Sequence, residues 1–382
     1  MLSEAIKSKA SDIHIEPYEK RFRIRFRVDG TLLEKTQPPP GTAAAISSRI
    51  KILSRLDISN RRLPQDGRLK VRLKNGREVD FRVSVLPTLF GEKVVLRVLD
   101  KTNLQVDMTK LGMEPDQLEV FNKAIYLPQG MVLITGPTGS GKTTTIYSAL
   151  AELNVVRRNI STAEDPVEFN LDGINQVQIN AEIGLGFPET LRSFLRQDPE
   201  IIMVGEIRDL VTAEIAYKAA STGHLVVSTL HTNDAAATVT RLLDMGIAPY
   251  MVAEATSLVV AQRLIKKICD KCAVEHRVPE ETLLSIGVTK ESLGEFENLR
   301  KGEGCDNCKG TGLKGRIAIF EVMRITGAVK DAIFRGASPL ELKRYAIEKE
   351  GMKSLRYSAI LKLKAGLTTV EEVLNTSVAD DI

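Results

Sequence analysis

The segment Gly136-Pro137-Thr138-Gly139-Ser140-Gly141-Lys142-Thr143 restricts the fold more than any other stretch of this chain. The apolar run Met131-Val132-Leu133-Ile134-Thr135 leads into it, and Thr144-Thr145-Ile146-Tyr147 continues as a helix. Strand, glycine loop and helix thus come in the order that a phosphate-cradling loop requires. The glycines let backbone N–H groups turn inward around phosphate, Lys142 can reach the β and γ oxygens, and the Thr143 hydroxyl can ligate Mg²⁺. A chance glycine-rich turn would lack both flanks. Residues 136–144 are therefore the expected ATP site, with Mg²⁺ held at Thr143.

Such a loop belongs to an α/β domain with a parallel sheet. Short apolar segments separated by helical ones supply it: Gly130 to Thr135, Asn159 to Ala163, Ile201 to Val204 and Leu225 to Thr229, with helices from Gly141 and near Glu189 to Arg196. Beyond Ala261 the strands are expected to give way to a cysteine-bearing segment, and the tail from Ala328 to Val378 to be helical. The first hundred residues read differently. Arg21 to Val28 alternates arginine with apolar residues, a period-2 strand with a basic face. A turn at Asp29-Gly30, a helical stretch from Ala43 to Leu56, a hairpin through Asn75-Gly76, and a strand from Lys93 to Leu99 complete a small α+β domain. The expected organisation is this domain at 1–100, a polar linker at 101–110, and a RecA-like P-loop domain at 111–382 carrying the cysteine-bearing element at 266–315 and a helical tail at 328–378.

Length supports several cores, since 382 residues exceed one ordinary domain. A formal charge of +4 is too balanced to argue for a nucleic-acid or membrane partner. No apolar run approaches the ~20 residues that cross a bilayer, and the first residues lack a secretory signal core, so a cytoplasmic location is expected.

Acids and histidines fall where the sheet should meet phosphate. Pro199 to Glu206 has the form of a Walker B strand ending in an acid, and Glu206 can hold the Mg²⁺ shell or orient the attacking water. Glu164-Asp165-Pro166-Val167-Glu168 follows another strand and is a second candidate for water activation, or a solvated turn with a helix cap. His224 and His231 flank the strand from Leu225 to Leu230, the second at its C-terminal end. All four cysteines lie in two pairs, Cys269/Cys272 and Cys305/Cys308, the thiolate set of a closed structural Zn²⁺ site, with a redox dithiol as the rival. The span between the pairs exceeds a common zinc ribbon and suggests an insertion stapled at its base.

With these motifs in view, the chain resembles the secretion ATPase superfamily, specifically the type IV pilus assembly ATPases and the similar type II secretion ATPases. The resemblance covers nearly the whole chain. It rests on Ser11 to Pro17, Arg62 to Arg68, the glycine loop, Ala163 to Glu168, Asp198 to Asp209, and Thr222 to Asn233 with its two histidines. It implies a hexameric ATPase with Lys142, Glu164, Glu168, Glu206 and His231 in the catalytic site. Arginine fingers would come in trans from the first domain, at Arg82 and Arg97 with Arg68 possible, while arginines such as Arg23 and Arg25 read as a solvated face. It also implies work on pilins through an inner-membrane platform protein and other assembly proteins, the chain being peripheral to the membrane. The resemblance also implies a platform-docking domain ahead of Ser3, either cut off from this sequence or absent from the protein. The four-cysteine element argues for extension or secretion over retraction, and Asn170 to Gln176 leans toward pilus assembly. A nucleic-acid translocase or binding module is the rival from another class; Phe22 and Phe26 oppose it, because they fall on the face opposite the arginines.

Overall fold

In the computed structural model, which describes residues 1–100 and 107–380, the chain divides into two compact units, Met1–Leu104 and Gln105–Ile382. The first contains α1 (Leu2–Lys7), β1 (Asp12–Pro17), β2 (Phe22–Val28), β3 (Thr31–Thr36), α2 (Ala43–Leu53), β4 (Gln65–Arg72), β5 (Glu78–Thr88) and β6 (Gly91–Leu99). Its strands pair antiparallel in the order β3-β2-β1-β6-β5-β4. The alternation that defines β2 sends Phe22, Ile24 and Phe26 inward to join Ile13, Ile15, Phe81, Val83 and Leu96 in one core, closed by Ile50 of α2 and Ala5 of α1. Truncating a fully buried ring such as Phe81 to alanine would cost about 3–5 kcal/mol. Successive register pairs place Arg68, Arg82, Arg97, Asp12 and Arg27 in one row across β4, β5, β6, β1 and β2. The Asp29-Gly30 hairpin turn has both residues at positive φ, as a two-residue turn that follows strand twist demands.

Most of the linker expected at 101–110 lies outside the described residues; Met108–Lys110 form a 3₁₀ turn. The second unit continues with α3 (Pro115–Ile125), β7 (Gly130–Thr135), α4 (Lys142–Leu153), β8 (Ile160–Glu164), β9 (Asn175–Gln178), α5 (Phe187–Phe194), β10 (Ile201–Val204), α6 (Leu210–Ser221), β11 (Leu225–Leu230), α7 (Ala235–Asp244) and α8 (Pro249–Ala255). After these come β12 (Thr256–Ile268), β13 (Ala273–Glu275), α9 (Glu280–Ser285), β14 (Arg300–Gly302), β15 (Leu313–Arg324), α10 (Gly327–Phe334), α11 (Pro339–Glu350), α12 (Leu355–Lys364) and α13 (Val370–Thr376).

Seven strands form the sheet β15-β12-β7-β11-β10-β8-β9, parallel except for the β12–β15 pair. Strands β7, β8, β10 and β11 are wholly buried, which explains their continuous apolar runs. Register pairs Thr135 with Leu230, Ser228 with Val204, and Val204 with Ala163. The C-terminal ends of four strands therefore share one sheet edge, where α/β sheets bind ligands.

The expectation that strands end at Ala261 is overturned. β12 runs on to Ile268 and pairs with β15, so the cysteine pairs sit at the open end of a long antiparallel ribbon in which Ile268 faces Leu313. Glu321, fully buried on β15, accepts the N–H of Ala235 at 2.9 Å and of Leu355 at 3.2 Å. It thereby satisfies orphan donors at the starts of α7 and α12, while burial pushes its carboxyl above the usual range against the pull of Lys343.

Candidate nucleotide site and cysteine cluster

The glycine loop leaves β7 at the centre of the sheet edge and enters α4 through Gly141, whose φ of 90° places it in the left-handed region. At Gly136 a Cβ would lie 2.5 Å from the Gln262 carbonyl and 2.7 Å from Ser140 Oγ, so only glycine lets the loop pass β12 this closely. The Lys142 ammonium donates to the carbonyls of Gly136 at 2.7 Å and Pro137 at 3.0 Å. Burial lowers its pKa to about 8, with Arg263 adding to the effect and Glu206 opposing it. Ser140 Oγ is buried with no hydrogen-bond partner among the described residues. A polar orphan and a desolvated ammonium within a glycine cradle fit a phosphate chain, which would satisfy both.

Neighbouring strand ends build the walls. At the end of β7, Thr135 Oγ1 lies 2.5 Å from Thr232 Oγ1 and accepts the Thr232 N–H at 2.9 Å, fixing the segment after β11 against the loop. Just past β10, the Glu206 carboxylate pairs with Arg208 through one oxygen and stands 3.5 Å from His231 Nε2 through the other. His231 is half-exposed, whereas His224 lies at the opposite end of β11, where its Nδ1 is 3.1 Å from the Ala219 carbonyl oxygen. The sheet therefore separates the two histidines.

Glu164 ends β8 with its side chain inside the protein. It accepts from Tyr147 Oη, from Thr162 Oγ1 at 2.6 Å and from Gln176 Nε2 at 3.1 Å. The Glu168 N–H donates to the same Tyr147 oxygen at 3.3 Å. Thr143 is exposed at the start of α4, while the Thr144 carbonyl oxygen accepts from Ser148 Oγ at 2.8 Å. Sequence reasoning missed Tyr147, Gln262 and Arg263. Gln262 accepts from Thr145 Oγ1 at 2.8 Å, and Arg263 donates to the Asn233 carbonyl at 2.7 Å. The two lie on the part of β12 that was not recognised as a strand, so nothing in the local pattern placed them beside the loop.

In the first unit, Arg97 donates to Asp12 at 3.1 Å, while Arg82 makes no side-chain hydrogen bond or ion pair among the described residues. Arg25 forks onto Glu16 with two 2.8 Å bonds, and Arg23 reaches the same carboxylate at 3.1 Å. These contacts leave Glu16 below the usual carboxylate range although burial opposes it. Phe22 and Phe26 are buried on the other face, yet the Tyr18 ring lies beneath Arg21 and Arg23, so the basic region does carry one aromatic.

The four cysteine sulfurs lie within 4.8 Å of one another, at 3.8 Å for Cys269–Cys305 and Cys272–Cys308 and 3.7 Å for Cys305–Cys308. A tetrahedron with Zn–S bonds of about 2.3 Å has edges of about 3.8 Å, so the spacing fits zinc. Burial opposes charge on Cys308, but the N–H groups of Cys305 at 3.1 Å and Gly312 at 3.2 Å outweigh it and bring the thiol down to about 6.

The glycine cradle and the aligned strand ends share one sheet edge, and the thiolate cluster lies at the end of the β12–β15 ribbon. The family model for the Type II/IV secretion system protein matches residues 1–375, and the chain belongs to that family. It is 57% identical over 381 residues to the type IV pilus assembly ATPase PilB of Myxococcus xanthus, covering 100% of this chain and 67% of that protein. PilB of Pseudomonas aeruginosa is 53% identical over 373 residues, covering 98% and 65%. The type II secretion system protein E of Aeromonas hydrophila is 45% identical over 380 residues, covering 100% and 75%. The chain thus spans about two thirds of the length of these pilus assembly relatives. Among solved structures, the pilus retraction motor PilT with bound ADP superposes with a TM-score of 0.66 at 26% identity, covering 98% of this chain and 95% of that one. The DotB ATPase of Yersinia pseudotuberculosis gives 0.72 at 21% identity, covering 98% and 91%, a likeness of fold.

Proposed function

We propose that this chain is the ATP-hydrolysing part of a hexameric motor that drives type IV pilus assembly. The observation that carries the reading is the single sheet edge at which the glycine loop, Lys142, Glu206 and His231 meet. In this RecA-like arrangement the amides of 138–143 receive the phosphates of ATP, and Lys142 exchanges the carbonyls of Gly136 and Pro137 for β and γ oxygens. The Thr143 hydroxyl would hold Mg²⁺, which would supply charge neutralisation to the phosphates. Glu206 accepts the proton of the attacking water, and His231 at 3.5 Å steadies its carboxylate.

Arg82 and Arg97, with Arg68 beside them in the row, bring positive charge to the γ-phosphate of a neighbouring subunit, a contribution on the order of 10³–10⁵ in turnover where such fingers operate. Cys269, Cys272, Cys305 and Cys308 would hold a structural Zn²⁺, which would staple the end of the β12–β15 ribbon. The motor works at the cytoplasmic face of the inner membrane on a platform protein, extracting pilins; among the described residues no helix is long and apolar enough to cross a membrane. Identity to the type II secretion relative supports pseudopilus assembly as the second reading. Asp12 and Glu16 already claim several arginines of the basic face, which speaks against direct nucleic-acid binding.

Phosphate release by the purified chain tests the proposal. Lys142→Ala should abolish it, and Glu206→Gln should keep ATP binding while losing about 10²–10⁴ in rate. Turnover retained in Glu206→Gln would overturn the assignment.

A further inference from the structure

Tyr147 joins two parts of the site that the chain reaches separately. It lies on α4, the helix that begins with Lys142 and Thr143, and it is fully buried. Its hydroxyl donates to Glu164 at the end of β8 and accepts the Glu168 N–H at 3.3 Å, while its ring meets Phe169 edge-on at 6.3 Å. Burial and the facing carboxylate push the phenol well above its usual range, so the hydroxyl stays protonated and stays a donor.

Glu164 meanwhile accepts three donors in a site only 3% exposed. The carboxylate is thereby held from three sides. Two of its partners, Thr162 and Gln176, come from its own strand and from neighbouring β9. Tyr147 alone of the three comes from the helix that grips phosphate.

We propose that Tyr147 is a positioning residue that locks the segment 164–168 to the phosphate-binding helix, with Glu164 as the anchor of that lock. Displacement of α4 by bound phosphates is then carried directly into the acidic segment. The inference deepens the ATPase reading and rests on it for its catalytic consequence.

Four variants of the full chain test it: Tyr147→Phe, Thr162→Val, Glu164→Gln and the Tyr147→Phe/Glu164→Gln double. Misplacement of a supporting segment predicts a fall in kcat on the order of tenfold for Tyr147→Phe with KM nearly unchanged. Thr162→Val also removes a donor from Glu164 but leaves the link to α4, and should stay within about twofold of the parent. Glu164→Gln should add little in the double variant, since both changes cut one connection. Without nucleotide, hydrogen exchange over 164–169 should quicken in Tyr147→Phe and not in Thr162→Val. An unchanged kcat in Tyr147→Phe, an equal loss in Thr162→Val, or unchanged exchange would overturn the lock. A Glu164→Gln loss of about 10²–10⁴ beside a mild Tyr147→Phe would also overturn it, by making Glu164 the base. Quickened exchange in a chain that never releases phosphate would uphold the link and sink the ATPase reading instead.

Discussion

The depressed pKa of Lys142 makes nucleotide affinity depend on pH, with a sign that can be worked out. Burial and Arg263 hold the ammonium at about 8 against an ordinary 10.5. Between those values the unfolded chain binds the proton and the folded chain does not, so this group's contribution to stability rises with pH through that window. Phosphate reverses the balance, because its charge restores the ammonium. Above pH 8 binding must therefore take up a proton, and affinity falls as pH rises. The difference 10.5 − 8 is about 2.5, which at about 1.36 kcal/mol each sets an upper bound near 3.4 kcal/mol. Lys142 is only half-buried, and solvent screening reduces this to about 1–2 kcal/mol, or roughly five- to thirtyfold in affinity between pH 7 and 9.5. Calorimetric titration with a non-hydrolysable ATP analogue, in buffers of different ionisation enthalpy, measures both affinity and proton uptake. Lys142→Arg should flatten the profile. A flat profile in the parent chain, or an equal slope in Lys142→Arg, would refute the reasoning.

Two further outcomes follow from the thiolate cluster and the arginine row. Elemental analysis should find about one zinc per chain, and chelation should lower the melting temperature and expose residues 269–312 to protease before the parallel sheet; a metal-free chain of undiminished stability would contradict this. Mixing Lys142→Ala with Arg82→Ala subunits should restore phosphate release at interfaces that pair an intact loop with an intact arginine, and no recovery at any ratio would remove Arg82 from the trans role.

Much of this architecture is legible in the residues because glycine, proline and alternation punctuate it. Ile201 to Val204 and the loop flanks read correctly since a strand buried on both faces is a short apolar run with hard stops. The β12–β15 ribbon escaped for a physical reason. Leu258 to Gln262 is buried on both faces, whereas from Arg263 to Ile268 only Ile265 and Ile268 are buried, so one strand carries two patterns and a buried glutamine. Its partner β15 is distant in sequence, and only pairing reveals either. Strand-end geometry also governs what could be said of the acids. Spacing brings Glu164, Glu168 and Glu206 to one edge, but only the positions of Tyr147, Thr162 and Gln176 distinguish a carboxylate occupied inside from one at the rim.

The six-stranded sheet of the first unit is open, and its rim along β4 has a consequence for whatever approaches it. Along β4, Asp66, Arg68, Lys70 and Arg72 alternate with Gly67, Leu69 and Val71, so the outermost backbone is fringed by charge. Such a margin is a poor template for main-chain augmentation. A chain approaching this margin would meet charged side chains before any free peptide group, a contact that can let go where a continuous ladder of peptide bonds could not.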